Sequence, residues 1–388
     1  MTSPRGLREA LPVALAVAIL ANILVAWTPR YWSTTVGITG ISLVALLWAL
    51  FSDRVALPRE SALAILIGFW SPLQLLLHMS SLPSLTMRSS LVWIMCAAVF
   101  ILASQILSGQ AERHAFLRLI LWTGTIIAVA SILQAYSKPV RVFGIFPADP
   151  SVVGTMYYKN HFAALMELIA PIALWEVKNG KLLAGGLCYS AMFAATVTSA
   201  SRGGTIGILA ELLVFMAIMV MGRKLKLGSA LAATGVLALL VVAAGAIAGT
   251  DIIWSRLQEA NPYHLREQLT RSALDMAAER PAFGFGMGTW RAVYPRFARF
   301  DDGLIANEAH NDLVQWAAEG GVPFLLLMTG LLACLTSRIF RSVWALGLIA
   351  VFAHCYVDYA LRAPPLQFLW FALAGAVSRY DAGSRRRQ

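Results

Sequence analysis

Ser89-Ser90-Leu91-Val92-Trp93-Ile94-Met95-Cys96-Ala97-Ala98-Val99-Phe100-Ile101-Leu102-Ala103-Ser104-Gln105-Ile106-Leu107-Ser108 runs for twenty residues without a charged side chain. As a helix rising about 1.5 Å per residue it is long enough for a hydrocarbon core about 30 Å thick. Lipid cannot satisfy a peptide group, so a segment of this kind must close its hydrogen bonds internally as a helix. Comparable stretches occur at about 11–28, 34–51, 61–79, 115–135, 160–177, 181–199, 203–221, 229–249, 317–336, 341–360 and 364–378. The expected fold is therefore all-α, a polytopic integral membrane bundle of about 12 transmembrane helices.

Composition agrees. The 388 residues are 59% apolar and 13% charged, where a soluble domain holds about 25% charged residues. An ordinary soluble enzyme is excluded, and one bundle accounts for the chain as a single domain, 1–388. Arg5 and Arg8 precede the first span as in a signal peptide. Nothing after Trp27 resembles a small-residue cleavage site, so the span reads as retained.

The formal net charge is +11. In a soluble protein that excess would point to nucleic acid, whereas here its distribution points to anionic membrane lipid. With the N-terminus in the cytoplasm, sixteen Lys and Arg fall in inner segments and four, Arg30, Arg88, Arg202 and Arg362, in short outer loops. The bias obeys the positive-inside rule for an even number of spans with both termini inside. The longer connections, 136–160 and 250–316, then face outward. Cys96, Cys188, Cys334 and Cys355 all lie in apolar segments, so they form neither a disulfide framework nor a metal spacing. No repeat of fixed period and no matching pair of broken half-chains is visible, which weighs against a solute or anion transporter.

The informative polar residues gather on the outward side. Ser199-Ala200-Ser201-Arg202-Gly203-Gly204 is a tight turn between two spans. An arginine held toward hydrocarbon costs about 2.5–3.5 kcal/mol and calls for an anion or a wet cavity. Within the 250–316 loop, Asn261 and Pro262 read as a helix start and Pro281 as its stop. Leu265, Leu269, Ala273 and Met276 repeat at helical spacing, so one face can dock on the bundle. Arg266 and Arg271 lie on its flanks, where a guanidinium can hold a phosphate by two hydrogen bonds.

Gly284-Phe285-Gly286-Met287-Gly288 follows. No strand precedes it, so it reads as a tight re-entry turn rather than a dinucleotide loop, with Trp290 and Tyr294 as interfacial aromatics. Asn307-Glu308-Ala309-His310-Asn311-Asp312 then leads into the tenth span, where Asn311, Gln315 and Glu319 form a polar stripe at four-residue spacing. A neutral imidazole at the outer end of that stripe can take a proton from a hydroxyl, which makes His310 the general-base candidate.

His161, in Tyr158-Lys159-Asn160-His161-Phe162 at the start of the sixth span, is the second candidate for a base or substrate contact. Glu167 lies inside the same span. His354, Asp358 and Arg362 are spaced to share one face of the eleventh span, and Glu211 is a carboxylate in the eighth. Nothing resembles a metal site. Asp301-Asp302 has no histidine at ligand spacing.

Ser201-Arg202-Gly203-Gly204, the run from Arg266 through Pro281 to Gly288, His310-Asn311 with Gln315 and Glu319-Gly320, and Asn160-His161-Phe162-Ala163 with Glu167 resemble the O-antigen ligase and polymerase superfamily. The resemblance is strongest over 160–325. It implies a GT-C-like, metal-independent, inverting glycosyltransferase of the bacterial inner membrane that needs no cofactor. Its donor is an undecaprenyl-diphosphate-linked glycan, and its acceptor a hydroxyl of lipid A-core or another glycan at the periplasmic face. Carried over by position, Arg202 and Arg266 hold the diphosphate and His310 activates the acceptor. Arg271 is the alternative loop arginine, and His161, Asn311 and Glu319 are expected substrate contacts. A single moderate outer loop fits a ligase better than a polymerase. Nucleic acid is not an expected partner.

Overall fold

In the computed structural model, residues 4–52, 55–223, 228, 264–299, 303 and 306–380 are described. The chain is an all-α membrane protein whose helices run α1 (Pro4–Leu24), α2 (Arg30–Phe51), α3 (Ser61–Leu76), α4 (Pro83–Ile106), α5 (Gln110–Ala135), α6 (Lys159–Lys178), α7 (Leu182–Thr198) and α8 (Arg202–Met221), then α9 (His264–Glu279), α10 (Trp290–Val293), α11 (Asp312–Ser342), α12 (Gly347–His354) and α13 (Pro364–Ser378). Among the described residues five helices, α2, α4, α5, α8 and α11, are long and apolar enough to cross a membrane. α3, α7 and the Glu9–Leu24 part of α1 are shorter apolar helices. A two-strand hairpin, β1 (Arg141–Val142) and β2 (Phe146–Pro147), interrupts the connection from α5 to α6. The expected ninth span and the Asn261-Pro262 start lie outside the described residues, as does Asp301-Asp302.

Burial sorts the helices. All fifteen residues of α13 are buried, and α6 is buried from Phe162 to Glu176. α2 instead presents Leu43, Leu46, Leu47 and Leu50 outward, the pattern of a helix whose far side meets lipid. One continuous core joins α1, α4, α5, α6, α11 and α13 through Phe100, Phe116, Phe324, Phe368, Trp370 and Phe371.

Two expectations about the spans are corrected. The stretch 341–360 is not one span: α12 has only eight residues, and turns and a short 3-10 segment, Ala360–Arg362, follow it. Ala363 is extended and Pro364-Pro365 supplies no N–H, so no helix can run through to α13. The carbonyl of Cys355 is used elsewhere, accepting from Asp312 N–H at 2.8 Å. His354, Asp358 and Arg362 therefore do not share a helical face.

The tenth span is longer than expected and broken inside. Gly321 sits at φ 75°, ψ 170°. Pro323 has no N–H for the Glu319 carbonyl, and Val322 N–H turns away to Pro281 O at 2.8 Å. The freed carbonyls are taken up by the glycine turn. Ala318 O accepts from Phe285 N–H at 3.0 Å and Glu319 O from Gly286 N–H at 2.9 Å, while Gln74 Nε2 donates to Glu319 O at 2.7 Å. Left-handed φ at Gly284, Gly286 and Gly288 lets the turn lie this close. A Cβ at Gly284 would sit 2.5 Å from Glu319 O.

The loop helix α9 docks through Leu269, Ala273 and Met276 on a small core with Phe285, Trp290, Tyr294 and Ala318. Leu265, expected on that face, is exposed. Trp290 and Tyr294 are not interfacial anchors either. Their rings stack at 4.9 Å inside this core, and Trp290 Nε1 donates to Ala306 O at 3.1 Å.

Candidate functional site

Four elements meet at one end of the bundle: the start of α6, the start of α8, the flank of α9 and the turn after α12. Between them lies a cavity of about 720 Å³. Its polar part is lined by Lys159, Asn160, Arg202, Arg266, His354 and Asp358, and its apolar part by Ile206, Ala210, Val214, Phe340, Ile349 and Ala353. Glu211, buried, lies among the latter. The cavity is amphipathic along its length.

Arg202 is the first residue of α8, capped by Ser201, whose hydroxyl accepts from Gly204 N–H at 3.3 Å. The N–H groups that open a twenty-residue helix add partial positive charge beside the guanidinium. Gly203 has to be small, because a Cβ there would sit 2.7 Å from His354 Nε2. His354 is held in turn by Glu167, with Nδ1 2.8 Å from Oε1.

Arg266 reaches into the cavity from α9. Its Nη1 donates to Val357 O at 2.6 Å and its Nη2 lies 3.3 Å from Asp358 Oδ2. Arg271 is elsewhere: it pairs with Glu267 at 2.5 Å across one helical turn, both side chains about half exposed. The structure brings Arg266 together with Arg202 and leaves Arg271 on the outer flank.

Asp358 is the hub. Its carboxylate accepts from Asn160 Nδ2, pairs with Arg266, caps Tyr359 N–H at 2.9 Å and lies 3.6 Å from His310 Nδ1. A buried carboxylate this near an imidazole favours its protonated form by charge. His310 itself has φ 53°, a left-handed backbone in a residue with a Cβ. A conformation of that kind persists only where its surroundings enforce it. The side chain is 27% exposed, accessible to a reacting hydroxyl.

Aromatic rings frame the two histidines. Tyr359 stacks on Tyr158 at 5.3 Å and meets both His310 and His161 edge-on at 4.8 Å. His161 Nε2 is 3.2 Å from Tyr359 O. Tyr158 accepts from Asn160 Nδ2 at 2.9 Å. Burial, with the Asp358 carboxylate nearby, pushes the Tyr158 phenol up to about 12, so it keeps its proton at any physiological pH.

The polar stripe of α11 is engaged within the protein. Asn311 is the N-cap, accepting from Leu313 and Val314 N–H at 3.1 and 3.3 Å. Gln315 accepts from Ala309 N–H at 2.7 Å and donates to Glu308 at 2.6 Å, which holds the His310 loop in place. Glu319 is fully buried and accepts from Gly288 N–H at 3.0 Å, Trp290 N–H at 2.8 Å and Arg362 Nη1 at 2.5 Å. Arg362 also bonds Asp312 at 3.2 Å. These groups anchor the loop to the bundle.

Reading by spacing singles out neither Gln74 nor Asp312, and it gives Tyr359 no role. Gln74 sits mid-face in an apolar helix, and its partners, Phe283 O, Glu319 O and Met287 N–H, are more than two hundred residues away in sequence. An isolated glutamine in a span was the available signal, since a polar side chain there needs a partner.

A family model described as O-Antigen ligase matches residues 187–329. Over that stretch, from α7 into the first half of α11, the chain is similar to the O-antigen ligase superfamily. It includes Arg202, Arg266, His310 and Glu319, and ends before Asp358 and Arg362. No curated protein matches the chain.

Proposed function

We propose that this chain is an O-antigen ligase-like glycosyltransferase of the bacterial inner membrane. It moves a glycan from an undecaprenyl-diphosphate carrier to an acceptor hydroxyl at the periplasmic face, with inversion and without a metal ion. In this reading the whole chain is one GT-C-like domain of about 12 spans with both termini cytoplasmic, and 250–316 is its periplasmic loop.

The observation that carries the proposal is the amphipathic cavity. A polyprenyl diphosphate is a doubly charged head on an apolar chain, and the cavity sets Arg202, Arg266 and Lys159 at one end of an apolar lining. Charge on the diphosphate grows as the anomeric C–O bond breaks, and fixed guanidiniums stabilise that charge without reorganising. His310 takes the proton of the acceptor hydroxyl, whose oxygen forms the new bond to the anomeric carbon. The electron pair of the broken bond leaves on the carrier diphosphate. Asp358 holds the base and one arginine in a single frame, which fixes their relative geometry.

The test is transfer by the purified full chain, reconstituted with an undecaprenyl-diphosphate glycan and lipid A-core. Glycosylated lipid A-core is the expected product. A carrier-linked chain of increased length instead would make the protein a polymerase of the same superfamily, and no transfer to either acceptor would sink the reading.

A further inference from the structure

A second cavity, of about 530 Å³, opens at the same end of the bundle, and nothing in the donor reading uses it. It is built by the turn after α1, the residues before α6, the His310 loop and the start of α13. We infer that it is the acceptor site and that it binds a pyranose ring carrying the hydroxyl to be glycosylated. The inference rests on the glycan-transfer reading.

Its lining is that of a saccharide site. Trp27, Tyr157, Tyr158 and Tyr359 supply aromatic faces, and His161 and Glu308 supply polar groups among them. A sugar is apolar on its C–H faces and ringed by hydroxyls, so flat rings interleaved with hydrogen-bonding groups match it on both counts. The volume falls within the range of about 300–1,000 Å³ usual for small-molecule clefts.

The second observation is the partition. Asn160 and Asp358 line the first cavity, while their chain neighbours His161 and Tyr359 line the second. The stacked Tyr158–Tyr359 pair lines the second cavity and is tied through Asn160 to Asp358 in the first. His310 stands beside that pair, its ring 4.8 Å from Tyr359 and its Nδ1 3.6 Å from Asp358. A direct displacement needs the nucleophile to approach from the side opposite the leaving group. Asp358 of the first cavity and Tyr359 of the second both adjoin His310, so the two cavities flank the base through these neighbours. The acceptor oxygen comes from the second cavity and loses its proton to His310, and the diphosphate departs into the first.

The test is saccharide binding to the full chain in nanodiscs, by saturation-transfer NMR and titration. One arm uses lipid A-core oligosaccharide freed of its acyl chains. The other uses the repeat-unit oligosaccharide of the carrier-linked glycan, so the two sources of a terminal pyranose are told apart. Binding in at least one arm is expected, weakened about tenfold by Trp27→Ala, the loss of about 1.4 kcal/mol that one stacked ring supplies. Tyr157→Ala is expected to act the same way, and because Tyr157 is 54% exposed its removal leaves the core intact. In the transfer assay both variants should raise the acceptor KM while the donor KM changes less than twofold. Binding in neither arm, or binding that both variants leave unchanged, overturns the inference. Binding that is lost in the variants, from a wild-type protein that transfers nothing, keeps the saccharide site and removes the glycan-transfer reading instead.

Discussion

His310 and Asp358 make the sharpest claims at the scale of single residues. A positioned base contributes about 10²–10⁴-fold to a proton-transfer step, so His310→Ala should lower transfer by that order with donor binding retained. Rates and donor KM in the reconstituted assay check this, and an unchanged rate would remove His310 from the mechanism. Asp358→Asn keeps the shape but weakens the pull on Arg266 and His310 together. It should lower kcat and raise the donor KM, where a residue serving only the base would lower kcat alone. The two loop arginines separate in the same assay. Arg266→Ala should cost about 10²–10³-fold as a lost stabiliser of developing charge, and Arg271→Ala, half exposed and paired with Glu267, should stay within about threefold.

The elements that matter most are the glycine turn and the broken α11. The kink at Gly321 is more than an irregularity, because it releases the carbonyls of Ala318 and Glu319, on which the turn is hung. The Glu319 side chain completes the joint by linking Gly288, Trp290 and Arg362. Removing one partner of a buried ion pair costs about 3–5 kcal/mol, since the other charge is left unpaired. Glu319→Ala should therefore lower the thermal midpoint of the protein in detergent, whereas a role in substrate contact alone would leave the midpoint unchanged and raise a KM. The stripe of Asn311, Gln315 and Glu319 was legible as a face because helical spacing is local. Its use was not, because Gln74, Arg362 and the glycine turn reach it from three distant parts of the chain.

Over the whole molecule, paired basic residues stand at both ends. The end with the cavities holds Arg202, Arg266 and Arg362 in specific contacts. The opposite end holds Arg113 over the Tyr380 ring at 5.2 Å, Lys181 paired with Glu176 at 2.7 Å and Arg338 paired with Glu60. The orientation expected from the positive-inside rule puts the cavity end outside and both termini inside. Alkaline phosphatase inserted near residue 300 should be active, and a fluorescent protein fused at the C-terminus should fluoresce from the cytoplasm. The reverse pattern would move the proposed site to the wrong side of the membrane for a periplasmic transferase.

The sequence by itself determined that the chain is helical and built for lipid, because long uncharged runs leave the backbone no other way to satisfy its hydrogen bonds. It also placed Arg202, Arg266 and His310 among the residues to watch, because charged and titratable groups beside a span need a reason to be there. Only the tertiary structure decided which of two loop arginines faces the cavity, that Glu319 braces a turn, and that Asp358 sits between Arg266 and His310. It also replaced the expected eleventh span with a short helix and a turn, and that turn is what carries Asp358 to His310. The reason is one of range: hydropathy and helical period act over a few neighbouring residues, whereas Asn160 and Asp358 come into contact only when α6 and the end of the chain are packed together.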